Sequence, residues 1–179
     1  MIANFYHVFS NNWRTLFNPN LHIANNVRIK KSIIKKNGKV ILQSGCRLGP
    51  YAIISPSNGN IIVGEGTSIN AFSMLYGPGN IIIGNNVSIA PRCSLMAFNH
   101  NFLDVDKPIK TQGVNFKGIE IGDDVWIGNG VTVLDGVKIA RGCVIGAGSV
   151  VTKSIPEYSI AFGNPCKVVR SRTNVADLK

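Results

Sequence analysis

The sequence predicts an all-β fold, a parallel solenoid of short strands stacked coil upon coil, and three observations carry that prediction. Residues 83–156 fall into register when read in sixes: IGNNVS, IAPRCS and LMAFNH, then, after a gap, IGDDVW, IGNGVT, VLDGVK, IARGCV, IGAGSV and VTKSIP. An aliphatic residue opens every block (Ile83, Ile89, Leu95, Ile121, Ile127, Val133, Ile139, Ile145, Val151), and the fifth position is mostly small or β-branched. Finally, Gly, Asn, Asp and Pro recur between these positions, where a chain that turns every few residues needs them. A period of six is not the helical 3.6, and a sandwich would show alternation at wider spacing. No single block buries its own apolar residue. Three blocks make a triangular coil, and coils stacked about 4.8 Å apart share one continuous core.

Taken in order, residues 1–26 stand outside the repeat as an N-terminal cap segment. Phe5, Phe9, Trp13 and Phe17 recur every four residues, a spacing that predicts one or two helical turns with an aromatic face, stopped by Pro19. The solenoid domain is expected over 27–165. Leu42, Leu48 and Ile54 keep the six-residue step, an insertion around Pro56–Asn60 shifts the phase to Val63, and a two-residue slip precedes Ile83. Residues 101–118 read as an extruded loop, and 166–179 as a basic C-terminal tail.

The 179-residue chain is long enough for a real core, and 45% hydrophobic content excludes a disordered chain. No apolar run approaches the roughly 18 residues that span a bilayer, and no signal-peptide pattern opens the chain, so a cytoplasmic protein is expected. Cys46, Cys93 and Cys143 each occupy a fifth position of the repeat and read as small buried residues rather than disulfide or zinc partners. The net charge of +10 is uneven: residues 1–60 hold eight Lys/Arg and no Asp or Glu. Such a face suits phosphates, an anionic glycan or the surface of an anionic membrane, or it is a solvated edge. No aromatic-interleaved motif accompanies the charge, so no nucleic acid is expected as a partner.

His100 is the one histidine within the repeat. It closes the block LMAFNH, and about twenty residues (NFLDVDKPIKTQGVNFKGIE) intervene before the register resumes at Ile121. Imidazole exchanges its proton near neutral pH and suits a general base, so the break in the repeat is where chemistry is expected.

With these blocks, the sequence resembles the hexapeptide-repeat acyltransferases over roughly residues 42–170. The segment GDDVWIGNGVTVLDGVKIARGCVIGAGSVVTKSIPEYSIAFGNPCKVVR is closest to the branch that O-acetylates sugars, the maltose, galactoside and exopolysaccharide acetyltransferases. Residues 1–26 depart from the N-terminal helical segment of the maltose and galactoside enzymes. The resemblance implies a left-handed β-helix, an exception to the usual right-handed crossover, a homotrimer with sites between neighbouring subunits, and acetyl-CoA as acyl donor with no metal. It further implies His100 as the general base, Trp126 and Asn70 beside the acceptor, Asn129 and Ala147 along the pantetheine arm, and Thr152 and Lys153 at the adenine and 3′-phosphate. Lys167 and Arg170 would form a cationic pair for the nucleotide phosphates. The expected activity is transfer of acetyl to a sugar hydroxyl, with a capsule, O-antigen or exopolysaccharide glycan as acceptor and possible attachment to the inner membrane face through the basic N-terminal third. An antibiotic O-acetyltransferase of streptogramin or chloramphenicol type shares the scaffold and the histidine, and a non-catalytic β-helix scaffold is the alternative of another class. A β-helical zinc enzyme would need three histidines from the helix, where this repeat has His100 alone.

Overall fold

The computed structural model describes residues 6–7, 19–35 and 37–173. They form a three-faced parallel β-helix of six complete coils and the start of a seventh. The first face carries Leu21–Ile23, Lys39–Leu42, Asn60–Val63, Ile81–Ile83, Ile119–Ile121 and Lys138–Ile139. The second carries Arg28–Ile29, Arg47–Leu48, Ser68–Ile69, Ser88–Ile89, Trp126–Ile127, Val144–Ile145 and Ser159–Phe162. The third carries Ile33–Ile34, Ile53–Ser55, Met74–Tyr76, Ser94–Met96, Thr132–Leu134 and Val150–Val151. Each strand pairs with the strand one coil away, in parallel and in register, so like positions form columns along the axis.

The block-opening residues are the interior. Ile83, Ile89, Leu95, Ile121, Ile127, Val133, Ile139, Ile145 and Val151 are all buried, as are Leu42, Leu48, Ile54, Val63, Ile69 and Leu75. Alternation along each strand turns their neighbours outward. The fifth positions fill the corners and do more than pack. Thr67 Oγ1 donates to the carbonyl of Gly84 (2.8 Å) and Ser73 Oγ to that of Ala90 (3.0 Å). Cys46 Sγ donates to Gly64 (3.0 Å), Cys93 Sγ to Gly128 (3.1 Å) and Cys143 Sγ to Pro156 (3.0 Å). In each case a fifth-position side chain reaches a turn carbonyl in the next coil, which explains why Ser, Thr and Cys alternate there with Val and Ala. All four cysteines are free and buried, and burial pushes their thiols above the ordinary value.

Three differences from the sequence reading concern the ends. The solenoid begins at Leu21 rather than at 27, because Leu21 and Ile23 pair with Val40 and Leu42 and pack on the core. The signal was present: IANNVR at 23–28 repeats IGNNVS at 83–88. Tyr6–His7, expected within a helix, is a strand paired antiparallel with Ile33–Ile34; Phe5, Phe9, Trp13 and Phe17 lie outside the described residues. The expected tail folds back instead, Lys167–Ser171 running antiparallel to Ser159–Phe162. Arg172 Nη1 fastens it to Asp124 Oδ2 (2.9 Å) and the Gly142 carbonyl (3.0 Å). Among the described residues, no helix is long and apolar enough to cross a membrane.

Candidate active site

Every lengthening of the six-residue step falls at one corner, where the third face hands over to the first: between Ile34 and Leu42, and at residues 56–59, 77–80 and 97–118, whereas the step from Ile29 to Ile34 at another corner is one residue short. The last is the expected loop, and it is a built structure. Asn99–His100 pairs antiparallel with Val114–Asn115, and a 3-10 turn spans Ile109–Thr111. Gln112 holds the loop from inside. Its Nε2 donates to the carbonyls of Asp104 and Lys107 (both 2.8 Å), and its Oε1 accepts from the Asp104 amide (3.1 Å). Asp104 pairs with Lys107 at 2.7 Å and accepts the Asp106 amide, so its carboxylate is committed within the loop. The returning chain is clamped by Asp135, whose carboxylate accepts the amides of Lys117 (2.9 Å) and Gly118 (2.8 Å). Sequence reasoning singled out neither Gln112 nor Asp135; both sit among polar turn residues, where nothing in the pattern marks a structural role. The loop surface is apolar for so exposed a segment, with Leu103 87% and Val105 93% accessible and Phe102 and Phe116 also exposed.

His100 is exposed at the root of this hairpin. Its ring meets Phe98 edge to face (centroids 5.9 Å apart), and Phe98 meets Tyr76 in the same way at 5.2 Å. This aromatic row flanks the imidazole. It borders an apolar cavity of about 440 Å³ on the third face, lined by Ile53, Met74, Tyr76, Met96 and Phe98 among others. Thr152 and Lys153, both exposed, lie at the same corner further up the axis, between Val150–Val151 and the Ile155 bridge to Ile139.

The other expected residues lie elsewhere. Trp126, 56% exposed, points outward from the second face, in register with Ser88 below and Val144 above. The second face is the side of the triangle opposite the His100 corner. Asn70 ends the strand Ser68–Ile69 on this face, and its Nδ2 donates to the Ile89 carbonyl (2.7 Å). Asn129 and Ala147 occupy the next corner on successive coils, tied by the Gly148 amide to the Asn129 carbonyl (2.8 Å). Beside them, a Cβ built on Gly130 or Gly148 would meet nothing within 4 Å, leaving a smooth open lane. Lys167 stands opposite Phe162 and Arg170 opposite Ile160, at the end of the second face. The expected site residues therefore fall into two groups on one chain. His100, Thr152 and Lys153 line one corner; Asn70, Trp126, Asn129, Ala147, Lys167 and Arg170 line the opposite side. Among the described residues, no group of three or more His, Cys, Asp or Glu side chains is placed to hold a metal ion.

The bacterial transferase hexapeptide family (six repeats) matches residues 118–153. A Saccharomyces cerevisiae protein named as an acetyltransferase is 41% identical over 115 residues, 64% of this chain and 57% of its own length. The chain thus spans little more than half of that relative. The galactoside O-acetyltransferase of Escherichia coli is 34% identical over 145 residues, covering 78% of this chain and 70% of the enzyme. Among solved structures, a galactoside acetyltransferase in complex with coenzyme A superposes with a TM-score of 0.63 at 33% identity, over 71% of this chain and 64% of that one. With the stacked six-residue coils and these relatives together, the chain belongs to the hexapeptide-repeat acetyltransferases, the left-handed β-helix family, on the branch of the sugar O-acetyltransferases.

Proposed function

We propose that the protein transfers acetyl from acetyl-CoA to a sugar hydroxyl of a cell-surface glycan, with His100 as general base. The observation that carries this reading is the interruption of an otherwise regular repeat by a built hairpin that presents an imidazole at its root. The acceptor oxygen attacks the thioester carbonyl carbon while the imidazole takes the hydroxyl proton. The tetrahedral intermediate collapses with cleavage of the C–S bond, and the imidazolium returns the proton to the departing thiolate. The products are an acetyl ester and free coenzyme A, and no acyl-enzyme forms.

The donor binds along the small-residue lane at Asn129 and Ala147, with pantetheine extended over Gly130 and Gly148. Its phosphates meet Lys167 and Arg170, guanidinium and ammonium groups suited to phosphate oxygens. Thr152 and Lys153 close on the nucleotide end, while Trp126 offers an apolar face to the acceptor sugar. Because His100 and Trp126 occupy opposite sides of one triangular coil, a site containing both needs two copies of the chain. A three-fold ring supplies three such sites, and the apolar loop tip is the surface that would seat against the neighbour.

The test is release of coenzyme A thiol with a panel of sugars and antibiotics as acceptors. A sugar is expected to turn over and His100→Ala to lower kcat by roughly 10²–10⁴-fold with oligomeric state unchanged. Retention of near-full activity in His100→Ala removes the histidine from the mechanism, and turnover of chloramphenicol or a streptogramin with no sugar used removes the glycan.

A further inference from the structure

We infer that the second face recognises an anionic group of the acceptor, a phosphate or carboxylate held some distance from the hydroxyl that reacts; this rests on the acetyltransfer reading and narrows its substrate class. Below Trp126, the outward column of that face continues through Ser88, Ser68 and Arg47 to Arg28, each in register with the next. A second column runs alongside, from Asn70 through Gly49 to Lys30, joined by backbone hydrogen bonds between neighbouring coils. Between them lies a groove of about 480 Å³, lined among others by Arg28, Lys30, Arg47, Ser68, Asn70 and Ser88. Gly49 forms part of its floor. A Cβ there would come within 2.6 Å of the Ala71 amide nitrogen, so tight coil stacking demands glycine, and the missing side chain leaves the recess between Lys30 and Asn70.

The charge in this groove has no structural explanation within the fold. Arg28 and Arg47 stand directly opposite each other on adjacent strands, an arrangement of like charges that destabilises a sheet. Among the described residues the ion pairs are Lys107 with Asp104, Lys138 with Glu120 and Arg172 with Asp124, and none involves Arg28, Lys30 or Arg47. The first carboxylate in the chain is Glu65. Three cations converge on a recess whose other polar lining is hydroxyl and amide. Two guanidinium groups one coil apart present paired donors that match the oxygens of a phosphate or carboxylate.

Geometry sets the size of the acceptor. From Trp126 to Arg47 is three coil steps, about 14 Å at the ordinary interstrand spacing. A lone neutral sugar at Trp126 would leave the cations unused. An acceptor filling the whole column is extended, with the reacting sugar at Trp126 and its anionic portion between Arg47 and Arg28.

The experiment compares three acceptors with acetyl-CoA in the full-length protein: UDP-N-acetylglucosamine, a hyaluronan tetrasaccharide and neutral chitotetraose. Equilibrium binding of each is measured by calorimetry in parallel. At least one anionic compound is expected to exceed chitotetraose in kcat/KM and in affinity by about tenfold or more, and which one separates phosphate from carboxylate. Arg28→Gln with Arg47→Gln should reduce that ratio about tenfold, Arg28→Lys with Arg47→Lys should keep most of it, and Lys138→Gln, on another face, should leave it unchanged. Raising NaCl from roughly 0.05 to 0.5 M should weaken anion binding by the wild type and spare chitotetraose, a readout that needs no variant to fold. Equal use and binding of all three acceptors, or a ratio unmoved by the double Gln variant at unchanged melting temperature, overturns the inference. Salt- and Arg-dependent anion binding without turnover of any acceptor leaves the groove standing and rejects the acetyltransfer reading.

Discussion

Thr67 shows how much a single corner residue of this fold must do. Its hydroxyl donates to the Gly84 carbonyl at 2.8 Å and accepts the Val87 amide at 3.0 Å, so one buried oxygen serves two backbone groups of the adjacent coil. Thr67→Val keeps the shape and removes both partners. It should lower stability by about 1–3 kcal/mol in denaturant unfolding, the cost of burying an unpaired polar group, whereas Thr67→Ser should cost far less. An unaltered midpoint for the Val variant would show that the corner relaxes to satisfy these groups another way. The cysteines at equivalent positions were legible in the sequence as small interior residues. Their donation to turn carbonyls was not, because the acceptor lies 13 to 35 residues away and becomes a neighbour only when coils stack.

The hairpin that carries His100 owes nothing to the repeat, and Gln112 holds it together. Three hydrogen bonds from one amide group join Asp104, Lys107 and the turn, while Asn101 Nδ2 donates to the Gln112 carbonyl at 3.0 Å. Gln112→Ala should leave the helix melting temperature within a few degrees yet make residues 101–113 the first site of proteolytic cleavage. If the loop also seats against a neighbouring copy, kcat should fall about tenfold in the same variant. Unchanged cleavage kinetics would assign the loop's order to other contacts. The existence and limits of this element were readable from the point where the blocks stop and resume. Its internal architecture was not: a stretch with neither helical nor strand periodicity carries no pattern, and side-chain-to-backbone bonds such as those of Gln112 depend on the folded path. The mirror case is the first coil, where IANNVR matches the repeat but straddles the end of the stretch read as a cap segment outside it.

At the scale of the whole molecule, the proposed site residues divide between one corner and the opposite face, and the proposed mechanism turns on that division. Subunits carrying His100→Ala and subunits carrying Trp126→Ala should each be nearly inactive alone. If copies share the site as proposed, the two variants unfolded and refolded together should regain a measurable fraction of wild-type activity, because some interfaces then combine an intact His100 with an intact Trp126. No recovery, in mixtures shown by mass spectrometry to contain hybrids, would mean that the two residues serve the same copy. The repeat announced the coil and its core, and even the corner that holds His100. It could not announce which faces the other residues occupy relative to that corner, since six-residue periodicity specifies inside against outside and leaves the assembly open. The same corner absorbs every lengthening of a coil, between Ile34 and Leu42 and at 56–59, 77–80 and 97–118, while the other two are stacked turn on turn by backbone bonds such as Gly66 to Ser44 and Gly148 to Asn129. Chain added along this one seam is discarded before the next strand begins, so the register above it is untouched. The fold thus separates what must stay constant from what is free to diverge, and a new acceptor specificity can be grafted there by inserting residues, with no compensating change in the core.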